Sequence, residues 1–248
     1  SDRQPSVEYI TKVAKAAEKA GFSTLLLPIG GSCVDSLVAA SHLTAHTEKL
    51  KFLFAVRPGS TAPTQLAKQF ASVNYWTNNR VFVNVVTGGA PKELENDGDF
   101  LSHADRYKRT REYIEILKRL FNGETFDYNG EFYTLKGANL PLPLKEAPPI
   151  FFGGSSQIAK EVATDVADVY MLWGETLETT AEELESVVKL AKEKNRDLSY
   201  SVSFQVVLGD TEEEAYDNAN KIISQVDPAV LEAKHANTVN NGAVGVSR

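Results

Sequence analysis

His103 and Tyr107 lie four residues apart at the start of a predicted helix that begins near Ser102. Residues three or four apart share one face of a helix, and this face continues as an apolar stripe as far as Phe121. An imidazole and a phenol at this position can hydrogen-bond a ligand or its phosphate. A capping histidine beside a tyrosine at the edge of the core would show the same spacing. The two residues alone leave both interpretations open.

A second polar motif, Gly153-Gly154-Ser155-Ser156, lies between a predicted buried strand and a predicted helix. The first turn of a helix has backbone N–H groups without intrahelical partners and carries a partial positive charge. The two serines add hydroxyl donors, so the motif predicts an anion site of the kind that binds phosphate. The alternative is a tight turn followed by a serine cap.

The stretch between these motifs predicts where a pocket forms. Residues 81–86 are apolar at nearly every position, which is typical of a strand in a parallel sheet covered by helices. The strand ends at Thr87-Gly88-Gly89, where two residues lack a Cβ and the backbone can approach a ligand closely. We therefore expect a pocket between this strand end and the helix carrying His103, with the other strand-end loops as its walls.

Three more predicted strand ends carry residues with chemical potential. Cys33 follows two glycines and is predicted to open a helix, whose N-terminus would lower the pKa of the thiol. A small packed residue is the alternative there. Arg57 can pair with a substrate or cofactor anion, or it can form a structural salt bridge. Trp173 can line a planar cofactor or fill the top of a barrel.

The composition excludes several classes of protein. A formal net charge of −7 over 248 residues gives no reason to expect binding to nucleic acid or to an anionic membrane, which requires clustered cations. The single cysteine excludes an internal disulfide framework and fits a reducing compartment. No apolar run approaches the ~18 residues of a membrane span, and the polar N-terminus does not read as a signal peptide. We expect a cytoplasmic protein without a metal site.

The order of elements predicts the fold. Strands near residues 24, 50, 81, 149, 169 and 198 alternate with helices, which indicates a parallel sheet with right-handed crossovers. Polar or glycine motifs end almost every strand, as in barrels, whereas an open doubly wound sheet concentrates its ligand at one point. We predict an α/β fold, a (β/α)8 TIM-type barrel lacking its first and last strands, as one domain over residues 1–248.

Two segments depart from the alternation. Residues 124–147 form an insertion in which Asn129-Gly130 predicts a β-hairpin with a type I′ turn. The last predicted strand is long, covering residues 198–208, and residues 228–248 are predicted to be helical at first and then poorly ordered.

The sequence words LLLPIGGSCVDS, KFLFAVRPG, NVVTGGAPKELENDGDFLSHADRY, PPIFFGGSS and LWGET follow one another in a recognisable order and spacing. Together they resemble the bacterial luciferase-like flavin monooxygenases, and within these the alkanesulfonate monooxygenase branch. The similarity covers roughly residues 5–235 and is spread over many strand ends, so it is more specific than any single motif.

The resemblance implies a two-component enzyme. A separate NAD(P)H-dependent flavin reductase would supply reduced FMN, and O2 would be the co-substrate. The carbon next to sulfur in a small organosulfur compound would be oxygenated, which releases sulfite and an aldehyde from an alkanesulfonate. Barrels of this kind often pair through helices, so we expect a homo-oligomer.

The resemblance also implies roles for individual residues. The positions matching His103, Tyr107, Ser155 and Ser156 contact FMN, chiefly at its phosphate, and the turn includes Gly154. The stretch of residues 84–87, with Asn84 and Thr87 at its ends, lines the flavin, as Trp173 would. The position matching Cys33 lies in the active site.

The predicted strand 198–208 departs from the alkanesulfonate pattern. Those enzymes carry an arginine and a histidine two residues apart, where this chain has Ser203 and Gln205. Since a sulfonate is a permanent anion, loss of a bidentate cation weakens its recognition. Cys33, Arg57 and Gln205 remain the candidate catalytic residues. A sulfone or other non-sulfonate oxygenase, a flavin-binding protein without oxygenase activity and a deazaflavin-dependent hydride transferase remain alternatives.

Overall fold

A computed structural model of the chain describes residues 4–230 and residue 232. The main-sheet strands are β1 (Thr24–Leu27), β2 (Lys51–Val56), β3 (Val81–Val85), β6 (Ile150–Gly153), β7 (Val169–Trp173) and β8 (Ser199–Ser203). A separate hairpin consists of β4 (Phe126–Asn129) and β5 (Thr134–Ala138). The helices are α1 (Val7–Lys19), α2 (Ser36–Thr44), α3 (Pro63–Thr77), α4 (Pro91–Asn96), α5 (His103–Phe121), α6 (Gln157–Val166), α7 (Leu177–Glu193) and α8 (Glu212–Ser224).

The six main strands form one parallel sheet in the order β1-β2-β3-β6-β7-β8. Consecutive strands are neighbours, with Leu27 beside Phe54 and Phe54 beside Val83. This arrangement confirms the predicted strand–helix alternation. It amounts to six strands of a curled (β/α) barrel sheet, and within the described residues β1 and β8 are its two edges. No helix of the described part is long and apolar enough to cross a bilayer.

Successive side chains of each strand point to opposite faces, and the two faces differ in what covers them. On the outer face Val83, Val85 and Phe152 are fully buried in the hydrophobic core. There the ring of Phe70 on α3 lies 4.7 Å from that of Phe121 on α5. The concave face carries Asn84, Gly153 and Met171, and it is this face that ends at the candidate site.

Side-chain caps explain where most helices begin. The residue before the first helical position accepts a hydrogen bond from a backbone N–H one turn later, as expected of Ser, Thr or Asp at this position. These caps are Ser6, Asp35, Ser102, Ser156, Thr176 and Thr211. The helices α3 and α4 instead begin at Pro63 and Pro91, where proline has no N–H to leave unpaired.

The predicted long strand 198–208 is wrong beyond Ser203. Strand β8 pairs with β7, and the last pair of the ladder is Trp173 with Ser203. Because β7 ends there, residues 204–208 have no neighbouring strand within the described residues and leave the sheet. The predicted content of residues 228–248 lies almost entirely outside the described residues.

The insertion forms the predicted hairpin, but its turn is not type I′. Asn129 pairs with Thr134, so the loop contains four residues, and neither Asn129 nor Gly130 has a positive φ. The carboxylate of Glu112 on α5 accepts hydrogen bonds from the backbone N–H groups of residues 131–133 at 2.6 to 3.1 Å. A tertiary contact with the helix therefore sets the loop shape that the local Asn-Gly signal did not predict.

Glu112→Ala removes the acceptor for three loop N–H groups. We expect faster amide hydrogen exchange at residues 131–133 and a free energy of unfolding lower by about 1.5–3 kcal/mol, the range for a hydrogen bond to a charged group. NMR-detected exchange and urea unfolding measure the two effects. The control Glu124→Ala breaks an exposed ion pair with Arg119 and should change neither by much. Unchanged exchange at residues 131–133 in Glu112→Ala would contradict the assignment.

Candidate functional site

A cleft of about 140 Å³ lies at the carboxyl ends of β3, β6 and β7. Its walls are residues 86–89 after β3, Tyr107 of α5, residues 153–155 at the end of β6, Met171, Trp173 and Glu175 around the end of β7, and Glu183 of α7. The carboxyl-end loops are where (β/α) barrels build their sites. The enclosed volume suits a phosphoryl-sized group, since pockets that enclose a whole drug-sized ligand occupy roughly 300–1,000 Å³.

His103 and Tyr107 do lie on one face, as the spacing predicts. Their rings are 4.9 Å apart, and the Tyr107 ring meets Phe152 of β6 edge-on at 6.3 Å. The Tyr107 side chain is buried, and its phenol hydrogen-bonds the hydroxyl of Ser156. The start of α5 is thereby joined to the start of α6.

The surroundings of this pair shift both pKa values. Burial raises the pKa of the Tyr107 phenol above 10.0, although the bond to Ser156 and the positive charge of Arg106 oppose the shift. Tyr107 therefore stays protonated and can donate. Burial, assisted by Arg106, lowers the pKa of His103 below 6.5, so the imidazole is mainly neutral at pH 7.

The glycine-serine turn has a shape that only glycine permits at its second position. Gly154 has a φ of +151°, and a Cβ there would lie 2.8 Å from the Cβ of Ala159 and 3.1 Å from the Tyr107 hydroxyl. Ser156 caps α6 by accepting a hydrogen bond from the N–H of Ala159 at 3.3 Å. The serine-cap interpretation is thus confirmed, and the cap holds the first turn of α6 beside the cleft.

Thr87 and Asn84 form the β3 side of the site. The hydroxyls of Thr87 and Thr110 are 3.2 Å apart, and Thr110 donates its proton to the carbonyl of Arg106 at 2.8 Å. Thr87 is therefore the donor to Thr110. The hydroxyl oxygen of Thr87 can still accept a hydrogen bond. Asn84 is buried on the concave face beside Phe151 of β6.

Arg57 is committed to structural ion pairs. The residue is 3% exposed, and its guanidinium donates to Glu93 at 2.8 Å and to Asp97 at 2.7 Å. Glu93 belongs to α4 and Asp97 directly follows it. Glu93 also accepts a hydrogen bond from the N–H of Gly31. The salt-bridge interpretation of Arg57 is the one that the geometry favours.

Two predicted catalytic residues lie away from the cleft lining. Cys33 is exposed in a turn in which its N–H donates to the carbonyl of Gly30 at 2.9 Å. The prediction that it opens a helix is wrong, because α2 begins at Ser36 with Asp35 as its cap. Gln205 is exposed beyond the end of β8.

The structure thus brings together most of the predicted ligand-binding residues. Thr87, Tyr107, Gly154, Ser155 and Trp173 share the cleft, whose exposed rim includes Trp173. His103 and Ser156 join this group through their contacts with Tyr107. Two residues were missed: Tyr170, which bonds the Gly154 carbonyl, and Glu183, which bonds Tyr170 and lines the cleft. Tyr170 reads as one more apolar strand position, and Glu183 as one of several acids on an amphipathic helix.

A model of the luciferase-like monooxygenase family matches residues 1–245. The chain belongs to this family. The resemblance read from the strand-end motifs is thereby confirmed at the level of the luciferase-like monooxygenases, whereas the alkanesulfonate branch stays a prediction.

Solved structures with the same fold include enzymes of different chemistry. The EDTA monooxygenase EmoA from Chelativorans sp. BNC1 superimposes with a TM-score of 0.78 at 20% identity, covering 91% of this chain and 61% of EmoA. The riboflavin lyase RcaE, solved with modified FMN and riboflavin, gives 0.85 at 20% identity over 96% and 64%. The F420-dependent tetrahydromethanopterin reductase from Methanopyrus kandleri gives 0.76 at 16% identity over 95% and 73%.

These likenesses establish the luciferase-like barrel fold. Identities of 16 to 20% do not identify a substrate, because one fold hosts many different reactions. The chain spans 61% of the length of EmoA and 64% of the length of RcaE.

The lowered pKa of His103 predicts a titration midpoint below 6.5 in the ligand-free protein. Bound phosphate would favour the charged imidazole, so adding inorganic phosphate should raise the midpoint, and phosphate affinity should rise as the pH falls through it. NMR titration of the imidazole resonances measures both effects. His103→Gln identifies the resonance, and His46→Gln should leave its midpoint unchanged. A ligand-free midpoint at or above 6.5 would contradict the burial argument.

Proposed function

We propose that this chain is the oxygenating component of a two-component, reduced-FMN- and O2-dependent monooxygenase that acts on a small organosulfur compound. The observation that carries the proposal is the meeting of Tyr107, the turn at residues 153–156 and the first turn of α6 at one cleft. This cleft is a site for a dianionic tail of the kind that FMN possesses. Membership of the luciferase-like monooxygenases supports the reaction class.

The residues present fit FMN at its phosphate end. Because Gly154 has no Cβ, the Tyr107 hydroxyl can pack directly against the turn, and that phenol stays protonated as a donor. Under the proposal Tyr107, Ser155 and Ser156 hold the phosphate, with His103 beside them. Residues 84–87 and the indole of Trp173 would line the flavin.

Reduced FMN would supply two electrons, and O2 would supply the oxygen atom that enters the substrate. For an alkanesulfonate the overall reaction balances when one oxygen atom enters the aldehyde, the other leaves as water and the sulfonate leaves as sulfite. The protein's contribution would be to bind and orient the cofactor and to keep water from the reacting atoms. The neutral imidazole of His103 and the protonated phenol of Tyr107 act in this scheme as hydrogen-bonding groups.

The second candidate function is the oxygenation of a neutral organosulfur compound such as a sulfone. The charges around the cleft favour such a substrate over a sulfonate. Among the described residues that line the cleft, the charged side chains are Glu175 and Glu183, and none is a cation. Arg57 is already paired with two carboxylates, and Ser203 stands on the concave face of β8 next to Trp173. A sulfonate would find no arginine there to bind bidentately.

The donor of reduced FMN in this proposal is a separate NAD(P)H-dependent flavin reductase, and the assembly is a homo-oligomer. FMN binding without oxygenase activity is a further candidate function. A deazaflavin would use the same barrel, as the F420-dependent relative does. These alternatives make different predictions for one reconstitution experiment.

The test is to supply the chain with reduced FMN and O2, together with a panel of short alkanesulfonates, dialkyl sulfones and dialkyl sulfides. Aldehyde release is measured throughout, and sulfite is measured for the sulfonates. We expect aldehyde from a sulfone or sulfide at a rate at least about tenfold above that from any sulfonate, a difference worth 1.4 kcal/mol of transition-state binding. Faster release of sulfite from a sulfonate would reverse the choice of substrate.

The control is Gly154→Ala, which places a methyl group against Ala159 and the Tyr107 hydroxyl. Under the proposal it loses FMN binding and aldehyde release together. Reduced FMN that binds without any aldehyde from the panel would support the flavin-binding function instead. Binding of F420 with no binding of FMN would overturn the cofactor assignment.

A further inference from the structure

Tyr170 hydrogen-bonds the turn at residues 153–156 and belongs to a different element from Tyr107. Its side chain is fully buried on β7, and its hydroxyl donates to the carbonyl of Gly154 at 2.7 Å. The carboxylate of Glu183 on α7 is a second acceptor for the same hydroxyl at 3.1 Å. Burial first, and the Glu183 charge next, raise the pKa of the Tyr170 phenol, so it remains protonated as a donor.

This contact fixes the orientation of one peptide plane in the turn. In a trans peptide the C=O and the following N–H point in opposite directions. A Gly154 carbonyl bonded to Tyr170 therefore directs the Ser155 N–H away from β7. Gly154 has a φ of +151°, a conformation that glycine adopts but does not prefer over its others, so a neighbour must select it.

The two tyrosines act on the turn from different elements. Tyr107 of α5 approaches Gly154 closely and hydrogen-bonds Ser156, whereas Tyr170 of β7 bonds the Gly154 carbonyl. Tyr107 lines the cleft and Tyr170 does not. Tyr170 can thus influence a bound phosphate only through the shape of the turn.

We propose that Tyr170 is a positioning residue that orients the Gly154–Ser155 peptide for phosphate binding. Glu183 takes part as the second hydrogen-bond acceptor of the Tyr170 hydroxyl. The inference rests on the proposed function, because it assigns the turn to the FMN phosphate. It predicts a specific defect: loss of the Tyr170 hydroxyl weakens the binding of the phosphate and leaves the binding of the isoalloxazine ring unchanged.

The test is Tyr170→Phe, which removes one oxygen atom and preserves the ring in the core. The dissociation constants of FMN and of riboflavin, which lacks the phosphate, are measured by fluorescence titration. We expect the FMN constant to rise roughly five- to tenfold, the effect of one lost positioning hydrogen bond, and the riboflavin constant to change less than about twofold. The inhibition constant of inorganic phosphate in competition with FMN should also rise in the variant.

The matched control is Tyr128→Phe, which removes a phenol that donates to Glu115 at 2.8 Å in the hairpin region. It should leave the ratio of riboflavin to FMN dissociation constants as in the unmodified chain. Equal weakening of FMN and riboflavin by Tyr170→Phe, or no weakening of FMN, overturns the positioning role while the proposed function stands. If the unmodified chain itself does not prefer FMN to riboflavin, the phosphate site fails and both proposals are overturned.

Discussion

The close packing of α5 against the turn at residues 153–156 is the constraint on which the candidate site depends. Tyr107 reaches the turn only because Gly154 has no side chain, and the same φ that excludes other residues exposes the Gly154 carbonyl to Tyr170. The turn is therefore held between a tyrosine of the helix layer and a tyrosine of the sheet. Ser156 connects both arrangements by capping α6 and bonding Tyr107. A phosphate would meet a preformed surface whose ordering cost is met during folding.

The charged groups around the cleft are a second constraint on what it can bind. Two buried arginines near it are bound to carboxylates, Arg57 to Glu93 and Asp97 and Arg109 to Asp99 at 2.5 Å. The buried Arg106 instead donates to the carbonyl of Leu101 at 2.7 Å. The ion pairs anchor the segment around α4 against the strand ends, since a buried guanidinium without a partner is strongly destabilising. Apart from the carboxylates of Glu175 and Glu183, the described lining of the cleft offers neutral donors and helix N–H groups. Such groups bind a phosphate through hydrogen bonds, and they give little extra affinity for a second anion in the same cavity.

The hairpin and β8 show how far local signals reach. The sequence predicts the hairpin correctly from two β-prone runs, yet it misassigns the turn because Glu112, distant in sequence, holds the loop N–H groups. It also extends β8 to residue 208, although β7 ends at Trp173 and provides no ladder beyond. Both errors arise where a partner from another element decides the backbone conformation, and no local pattern records that partner.

Periodicity, caps and the order of strands and helices determined the barrel class. Short stretches of sequence are enough for this, because they show which face of an element is buried and which residues cap a helix. The motifs also identified His103, Tyr107 and the glycine-serine turn as ligand-binding candidates. Tertiary structure alone decided that Arg57 forms ion pairs, that Cys33 lies outside a helix start and that Tyr170 donates a hydrogen bond to the Gly154 carbonyl. The reason is physical: a side chain's charge state and hydrogen bonds depend on neighbours contributed by other elements, and these neighbours are fixed only when the sheet curls and its helices pack.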